Sequence, residues 1–365
     1  MKKVFYRILA IIFNFFRALF PLKANRVTLL SPHNASFNDS LGEIRKELEK
    51  RGNYDFNCIS HEDFSSPLKA IAFFTVKTFK FATSKYVFMN DNFMPMGFLN
   101  FRREAVLVQL WHGEGAFKQF GLSIELPKEI RELELAADKK LSFVICSAEG
   151  VRHIYASAFG IDESRVLPLG SPRADALLNA ANAKELRVDF EEKHPQCKGK
   201  KIVLYAPTFR DDPKSDAEFL KLFDYEKFTE ALGDEYCLLV RLHPQVHGAA
   251  RLNGAIDVTD YKSVNELTLI SDMLITDYSS ICMDFVLLDK PCVFFAPDME
   301  EYLARRPVYY DYETFVPGKI VRNTDELIAA VRNAKADEKL EEFKKLNLEA
   351  VDGKSCQRIL DRIIS

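Results

Sequence analysis

Short apolar runs alternate with longer helical segments along almost the whole chain after Pro21, and this rhythm restricts the fold more than any other feature of the sequence. Apolar runs separated by helices are typical of βα units, whose strands pair in parallel. We therefore predict an α/β protein with doubly wound parallel sheets. In the first half, strands are predicted over 26–31, 55–60, 86–90, 105–110, 143–146 and 165–168, with helices such as 39–51 and 149–159 between them.

A second series of the same kind begins at the apolar run KIVLYAP. Its further strands are predicted over 236–242, 256–258, 273–276 and 291–295, and its helices over 225–232, 264–271, 280–288 and 324–334. The polar stretch 187–201 separates the two series, and 365 residues can form two ordinary cores. We predict an N-terminal domain over 25–190 and a C-terminal domain over 191–340. The segment 341–365 is predicted to be a helix that can cross back to the first domain.

The first 24 residues mix basic and large apolar side chains. A membrane span needs about 20 predominantly apolar residues, and basic residues interrupt this stretch before that length is reached. We predict an uncleaved amphipathic helix in the membrane interface, with its basic residues at anionic headgroups. The residues predicted to face acyl chains are Phe5, Leu9, Ile12, Phe16 and Leu19. The alternative is a helix packed on the domain surface, since apolar helical stripes usually belong to a core.

Charge and cysteine content exclude several classes of protein. A formal net charge of −3 gives no reason to expect nucleic acid binding, which normally shows a large basic excess. The seven cysteines are odd in number, widely spaced and without a C-x-x-C pair, which disfavours both a disulfide framework and a structural zinc site. We therefore expect free, mostly buried thiols and a reducing cytoplasm.

The first motif is VLVQLWHGEGAFKQFG, in which a predicted strand runs into His112. A histidine at a strand end can take a proton from an attacking hydroxyl, because its ordinary pKa leaves it mostly neutral at physiological pH. Gly113 and Gly115 allow the backbone to approach a phosphate closely, and Lys118 can supply positive charge. The alternative is a structural histidine at the strand end.

The second motif is VLYAPTFRDD, where a strand delivers Arg210 into a loop. The planar guanidinium suits phosphate recognition. The alternative is a solvated charged turn. Asp211 and Asp212 could belong to a metal site, but the sequence places no further ligands beside them.

The third motif is CLLVRLHPQVH, a strand that ends with Arg241 and His243. An arginine and a histidine at a strand end form a clamp for a diphosphate leaving group. As imidazolium, His243 would neutralise the charge that develops on such a leaving group.

The fourth motif is ITDYSSICMDF, in which a strand meets the start of a helix. Unpaired N–H groups at a helix start attract anions, and Ser279 and Ser280 add hydroxyl donors. Asp284, one turn later, is expected to reach the ribose hydroxyls of a nucleotide. The alternative is plain helix capping by aspartate and serine.

In chain order, these segments resemble the CDP-glycerol glycerophosphotransferases, a family that includes teichoic acid polymerases and primases. The resemblance rests on LWHGEGAFKQFG, LGSPRADAL, VLYAPTFRDD, RLHP, ITDYSSICMDF and RPVYYDYETFVPGKIV, which span most of the chain from residue 110 to residue 321. It implies a GT-B-like arrangement, with an acceptor domain first, a CDP-donor domain second and a cleft between them. The commoner family form has Thr-Pro after the first Trp-His-Gly, whereas this chain has Glu114 and Gly115, which leaves the acceptor open.

The resemblance also implies roles for individual residues. His112 corresponds to the proposed catalytic base, and His243 to the second histidine near the donor pyrophosphate. The residues that inherit donor-binding roles are Thr208, Arg210, Ser279, Ser280 and Asp284.

The implied reaction is attack by an acceptor hydroxyl on the β-phosphorus of CDP-glycerol or CDP-ribitol, with release of CMP. The implied acceptor is a lipid-linked polymer of teichoic-acid or capsular type, at the cytoplasmic face of the cell membrane, where the enzyme is peripheral. Such a transfer needs mainly alignment and charge neutralisation. No cofactor is required by the sequence, and a Mg²⁺ site has no ligand set to support it. The alternative is a GT-B glycosyltransferase that uses a nucleotide sugar, such as a CMP-sialic acid polymerase.

Overall fold

The computed structural model describes residues 2–33, 37–210, 212–243, 246, 252–335 and 338–364. The strands are β1 Lys23–Ser31, β2 Asp55–Ser60, β3 Ser84–Met89, β4 Val106–Gln109, β5 Phe143–Cys146, β6 Val166–Pro168, β7 Lys201–Tyr205, β8 Tyr236–Val240, β9 Ile256–Asp257, β10 Met273–Thr276, β11 Cys292–Phe295 and β12 Gly318–Val321.

The α-helices are α1 Lys2–Leu19, α2 Ser40–Arg51, α3 Pro67–Ala72, α4 Thr78–Ala82, α5 Lys128–Asp138, α6 Arg152–Phe159, α7 Pro172–Leu178, α8 Ala183–Lys193, α9 Pro213–Leu220, α10 Tyr225–Leu232, α11 Val264–Ile270, α12 Ile281–Leu287, α13 Met299–Arg305, α14 Tyr312–Phe315, α15 Thr324–Arg332, α16 Glu338–Leu348 and α17 Ser355–Ile363. A π-helical stretch, Phe73–Lys77, joins α3 to α4.

Within the described residues, the strands form two six-stranded parallel sheets, with the orders β2-β1-β3-β4-β5-β6 and β12-β11-β10-β7-β8-β9. The predicted α/β fold with two parallel sheets is therefore confirmed. The central strands were predictable because strands that are covered on both faces appear in the sequence as continuous apolar runs. The sequence did not predict β12 or the helical stretch from α3 to α4.

The chain divides into two compact units, each of which contains one sheet. The first unit comprises Met1–Ala176 and Leu346–Ser365, and the second comprises Leu177–Lys345. Residue 190, where the sequence placed the domain boundary, lies inside α8 in the second unit.

The core of the first unit includes α17, whose apolar face packs with α2 and the central strands. Asp175 caps this last helix, since its carboxylate accepts hydrogen bonds from the backbone N–H groups of Ser355 at 3.0 Å and Cys356 at 2.8 Å. Gly170 makes the approach possible, because a side chain there would collide with Ala350 and Ser355. The motif LGSPRADAL thus joins the last residues of the chain to the first sheet.

Helix α1 packs on the first unit largely through the face that was predicted to contact acyl chains. Leu9 and Phe13 are fully buried, and the Phe13 ring lies 4.9 Å from that of Phe101. The prediction that Leu9 faces acyl chains is therefore wrong, and Phe5, Ile12 and Phe16 are half-buried as well. The helix is apolar on two sides, so its sequence could not show which side the domain covers. The exposed side carries Val4, Ile8, Ile11, Phe15 and Leu19.

Among the described helices, none is long and apolar enough to cross a membrane.

A disulfide joins Cys197 to Cys237 in the second unit. The expectation that all cysteines are free thiols is therefore wrong for this pair. The two residues are 40 positions apart in sequence, and the parallel pairing of β7 with β8, in which Ile202 lies opposite Cys237, brings them together. Free thiols remain at Cys58, Cys146, Cys282, Cys292 and Cys356.

Candidate active site

The first sheet changes direction between β1 and β3, since later strands are added beyond β3 while β2 lies on the other side of β1. Such a reversal leaves a crevice beyond the carboxyl ends of the strands, where open α/β sheets bind ligands. Ser31 ends β1 and Asn90 follows β3. His112 follows β4, the neighbouring strand. The predicted base thus lies at the carboxyl edge of the first sheet, next to this crevice.

The imidazole of His112 is exposed, and its Nδ1 lies 3.2 Å from the backbone oxygen of Asn90. A carbonyl oxygen only accepts hydrogen bonds, so in the neutral ring Nδ1 carries the proton and Nε2 keeps its lone pair. The preceding residue, Trp111, has a φ of 58°, and its N–H donates to the side-chain oxygen of Gln109 at 3.0 Å. A positive φ is uncommon for a bulky residue and marks a sharp turn at the strand end. The turn places a histidine with one basic nitrogen at the edge of the sheet.

Asn90 and Asp39, which the sequence analysis missed, support the position of His112. The Asn90 side chain is buried, and its NH₂ group donates to the Asp39 carboxylate. That carboxylate also accepts from the backbone N–H of Leu41 at 3.0 Å and so caps α2. Burial raises the pKa of Asp39, and the hydrogen bonds from Leu41 and Asn90 only partly oppose the rise. The only sequence signal for Asn90 was its place at the end of a predicted strand.

The loop after His112 is held by internal hydrogen bonds. The Tyr155 hydroxyl donates to the backbone oxygens of Gly113 at 2.9 Å and Gly115 at 3.0 Å. The Gly115 N–H donates to the Ser147 hydroxyl at 2.7 Å, and a φ of 62° explains the glycine at this position. A side-chain carbon at Gly113 would meet nothing within 4 Å, so the backbone there is open to a ligand. Lys118 is half-exposed on the same loop.

Residues from the end of the chain also support this loop. The Asn347 side chain accepts a hydrogen bond from the Ala116 N–H at 3.1 Å. The Asn347 backbone oxygen accepts from the Ser147 hydroxyl at 2.6 Å, and Ser147 in turn holds Gly115. Asn347 is fully buried. The segment that carries His112 therefore depends on a residue more than two hundred positions later in the sequence.

Glu114, the residue that departs from the commoner family motif, is paired inside the first unit. Its carboxylate accepts from the Ser171 hydroxyl at 2.6 Å and from two nitrogens of the Arg173 guanidinium. Burial alone would raise the pKa of Glu114, but the charge and hydrogen bonds of Arg173 outweigh it and lower the pKa below its ordinary value. Glu114 therefore remains ionised and links the Trp-His-Gly loop to the LGSPRADAL segment.

The second sheet reverses its order between β10 and β7, and the predicted donor residues lie at this edge. Thr208 follows β7, and its N–H donates at 2.8 Å to the carboxylate of Asp277, which follows β10. The Thr208 hydroxyl oxygen is buried and has no hydrogen-bond partner in the described structure. An unpaired hydroxyl at the carboxyl edge of a sheet, where open α/β sheets bind ligands, is consistent with the predicted role of Thr208.

Arg210 is engaged by carboxylates instead of lying open to a phosphate. It donates to Asp277 at 2.9 Å and, through two nitrogens, to Asp298 at 2.8 and 3.0 Å, and it lies over the Phe219 ring. Burial alone would lower the pKa of Arg210, but the charges of Asp277 and Asp298 outweigh it and raise the pKa. In this structure, the guanidinium organises the ends of β7, β10 and β11.

The segment after β10 carries Ser279, Ser280 and Asp284. The Ser279 hydroxyl accepts from the Ile281 N–H at 3.4 Å, whereas the exposed Ser280 makes no capping hydrogen bond through its side chain. Asp284 is buried in the first turn of α12. Plain capping therefore does not account for Ser280.

Arg241 and His243 differ in their surroundings. The Arg241 guanidinium donates to the backbone oxygen of Tyr261 at 2.6 Å, and burial lowers its pKa. His243 is exposed, and its ring centre lies 4.5 Å from that of Phe209. The guanidinium of Arg306, from the RPVYYDY motif, lies over the same Phe209 ring, 5.2 Å from its centre. His243 and Arg306 thus share one aromatic neighbour.

A cavity of about 240 Å³ opens beside Arg210 in the second unit. Phe219 and Tyr302 contribute aromatic walls, and Arg305 and Arg306 contribute positive charge. Burial raises the pKa of Tyr302 to about 12, so this phenol is neutral. Within the described residues, no group of three or more His, Cys, Asp or Glu side chains is arranged to hold a metal ion. Asp211, considered as a metal ligand from the sequence, lies outside the described residues.

Comparison with protein families gives a match over nearly the whole chain. A family model described as CDP-Glycerol:Poly(glycerophosphate) glycerophosphotransferase matches residues 11–365. The teichoic acid poly(ribitol-phosphate) polymerase of Bacillus spizizenii is 33% identical over 95% of this chain, which spans 57% of that protein. The teichoic acid ribitol-phosphate primase of the same species is 30% identical over 95% of this chain and 93% of its own length. The chain thus covers little more than half of the polymerase but nearly all of the primase.

Solved structures of a teichoic acid polymerase also align with nearly the whole chain. A variant of the wall teichoic acid polymerase TagF, soaked with CDPG, aligns with a TM-score of 0.79 and 25% identity, over 99% of this chain and 94% of that chain. UDP-GlcNAc 2-epimerase from Neisseria meningitidis aligns with a TM-score of 0.57 and 15% identity, over 93% of this chain and 99% of that chain, which shows a shared fold alone. The predicted GT-B-like fold class is confirmed by the TagF match.

Proposed function

Because this chain belongs to the family described as CDP-Glycerol:Poly(glycerophosphate) glycerophosphotransferase, we propose that it moves a glycerol phosphate or ribitol phosphate unit from a CDP-linked polyol to an acceptor hydroxyl, with release of CMP. The observation that carries this proposal is the 30% identity to a ribitol-phosphate primase over 93% of that protein. Relatives include both ribitol-phosphate and glycerol-phosphate enzymes, so CDP-ribitol and CDP-glycerol are both candidate donors.

In this proposal, His112 is the general base of the first unit. Nε2 takes the proton of the acceptor hydroxyl as its oxygen attacks the β-phosphorus of the donor. A phosphorus–oxygen bond forms to the acceptor, the bond from the same phosphorus to the CMP oxygen breaks, and CMP leaves with the negative charge. The contact between Nδ1 and the Asn90 oxygen supports this role, because it favours the tautomer that can accept the proton and stabilises the imidazolium that results.

We assign donor binding to the carboxyl edge of the second sheet. The direct contacts are proposed for Thr208, His243, Ser279, Ser280 and Asp284. The unpartnered Thr208 hydroxyl and the exposed ring of His243 support this assignment, and His243 as imidazolium would stabilise the departing CMP. Arg210 and Arg241 are assigned supporting roles, since carboxylates and a backbone oxygen already occupy their guanidinium groups.

The proposed acceptor is a lipid-linked polymer, with its phosphate groups near the open backbone of Gly113 and Gly115 and near Lys118. The proposed location is the cytoplasmic face of the membrane, with the protein attached peripherally. The exposed side of α1, with Ile11, Phe15 and other large apolar residues, supports attachment through that helix.

The test is CMP release from CDP-glycerol, CDP-ribitol, CMP-sialic acid and common UDP-sugars, with the product mass read on a short lipid-linked acceptor. We expect turnover of a CDP-polyol, and a loss of about 10²- to 10⁴-fold in kcat for His112→Gln. His153→Gln is the matched control, since His153 is an exposed histidine on α6 of the same unit. Turnover of a nucleotide sugar alone, or an unimpaired His112→Gln protein, would contradict the proposal.

A further inference from the structure

Buried polar side chains lie on the same face at the carboxyl ends of two strands of the first sheet, with Ser31 ending β1 and Asn90 following β3. Val27 and Leu29 of β1, and Tyr86 and Phe88 of β3, face the core of the first unit beneath α2 and α17. Successive side chains alternate between the two faces of a strand, so Ser31 and Asn90 continue these two rows.

Strand register places these two polar residues side by side. Leu30 pairs with Met89, so Ser31 and Asn90 are the next residues on neighbouring strands. Neighbouring strands lie about 4.8 Å apart. This position is the reversal of strand order, where open α/β sheets bind ligands.

Both side chains carry an atom without a partner. Within the described residues, Ser31 Oγ and Asn90 Oδ1 are buried and make no hydrogen bond. Ser31 is fully buried, and Asn90 is 1% exposed. Buried polar atoms without a partner are rare in native proteins, and each needs an explanation.

The hydrogen bond to Asp39 sets the orientation of the Asn90 amide. The NH₂ group of Asn90 donates to the Asp39 carboxylate, so Oδ1 is left as an acceptor. Ser31 adds a hydroxyl, which can donate and accept. One hydroxyl group of a ligand can therefore donate to Asn90 Oδ1 and accept from Ser31. The backbone oxygen of the same Asn90 contacts His112, so such a ligand lies beside the proposed base.

We propose that Ser31 and Asn90 form a subsite for the acceptor's second hydroxyl, the one on the carbon next to the attacking hydroxyl. The inference rests on the proposed function, because a polyol phosphate acceptor has neighbouring hydroxyl groups. The attacking hydroxyl then lies at His112 Nε2 while its neighbour is held at the strand ends. The subsite selects an acceptor that ends in a vicinal diol.

The first experiment compares Ser31→Ala with Ser355→Ala in the full chain. Ser355 is a matched control, since its hydroxyl oxygen is also buried without a partner and it lies in the same unit. Both substitutions remove an unsatisfied hydroxyl, so neither should lower the thermal midpoint. We expect Ser31→Ala to raise the acceptor KM about three- to tenfold and to leave the donor KM unchanged. Equal acceptor KM values for the two variants would overturn the proposal and indicate a buried water site.

The second experiment changes the acceptor. Short acceptors ending in glycerol phosphate or in propane-1,3-diol phosphate differ by the second hydroxyl alone. The wild-type protein should prefer the glycerol acceptor, and Ser31→Ala should lose most of that preference. Calorimetric binding of the two acceptors without donor gives the same comparison without turnover. Failure of CMP release together with selective diol binding would reject the proposed reaction alone, whereas equal binding of both acceptors to the wild-type protein would reject the subsite.

Discussion

Replacement of Arg173 by alanine would leave the Glu114 carboxylate buried without its cation. The Glu114 side chain is only 2% exposed, and Arg173 supplies two of the nitrogens that bind it. Removal of one partner from a buried ion pair costs about 3–5 kcal/mol, because the remaining charge is neither solvated nor neutralised. For a unit of this size, that loss corresponds to roughly 6–20 °C in the thermal midpoint.

The pH dependence gives a sharper test of the same pair. In the wild-type protein, the pKa of Glu114 is held below its ordinary value of 4.5, so its contribution to stability is present above that pH and is lost as the pH falls. In Arg173→Ala, burial is no longer opposed and raises the pKa of Glu114. The stability of the variant should therefore fall as the pH rises above 4.5, which is the opposite sign.

Denaturant unfolding at several pH values between 4 and 8 measures both effects. Arg152→Ala is the control, since Arg152 pairs with the exposed Glu149 and its loss should cost about 1 kcal/mol or less. Addition of Glu114→Gln to Arg173→Ala should recover much of the loss, because no buried charge remains. An Arg173→Ala protein that loses no more than the control and keeps the wild-type pH slope would refute this account.

Two further predictions concern stability. Burial and the charge of Glu134 raise the pKa of Asp138 to about 8, so its folded state holds a proton that the unfolded state releases near pH 3.8. The free energy of unfolding of Asp138→Asn should therefore rise relative to that of the wild type as the pH rises from 4 to 8, by at most about 6 kcal/mol. Denaturant unfolding of both proteins measures this difference. A difference in denaturant midpoints that stays constant across this range would contradict the prediction. The Cys197–Cys237 disulfide joins residues that are 40 positions apart, so it restricts the unfolded chain. Its reduction, or the replacement of both cysteines by serine, should lower the free energy of unfolding by about 4 kcal/mol. A thermal midpoint that dithiothreitol leaves unchanged would show that the disulfide does not contribute to stability.

Features that depend on neighbouring residues were predictable from the sequence. Buried parallel strands read as apolar runs, and the residues that follow them, such as His112 and Thr208, were correctly placed at strand ends. Ser280 was also placed at a helix start, where the structure has it.

Features that depend on distant partners were not predictable. Arg210 donates hydrogen bonds to Asp298, which lies 88 positions later in the sequence. Arg241 donates to the backbone oxygen of Tyr261, 20 positions away. The pairing of Glu114 with Arg173 likewise became visible only when two separate motifs were brought together. The face of α1 that the domain covers is decided by the aromatic residues of the following segments, such as Phe81 and Phe101. Sequence patterns locate polar groups at an edge, but they do not reveal which groups neutralise one another.

The contribution of Asn347 to the Trp-His-Gly loop has a consequence for synthesis on the ribosome. The first sheet can begin to form when its own strands have emerged, but Ala116 and Ser147 still lack their partner Asn347, which is translated after the second unit. The second unit is synthesised in the meantime, as domains generally fold in the order of their emergence. A nascent chain therefore has no completed loop around His112 until the whole second unit has been synthesised.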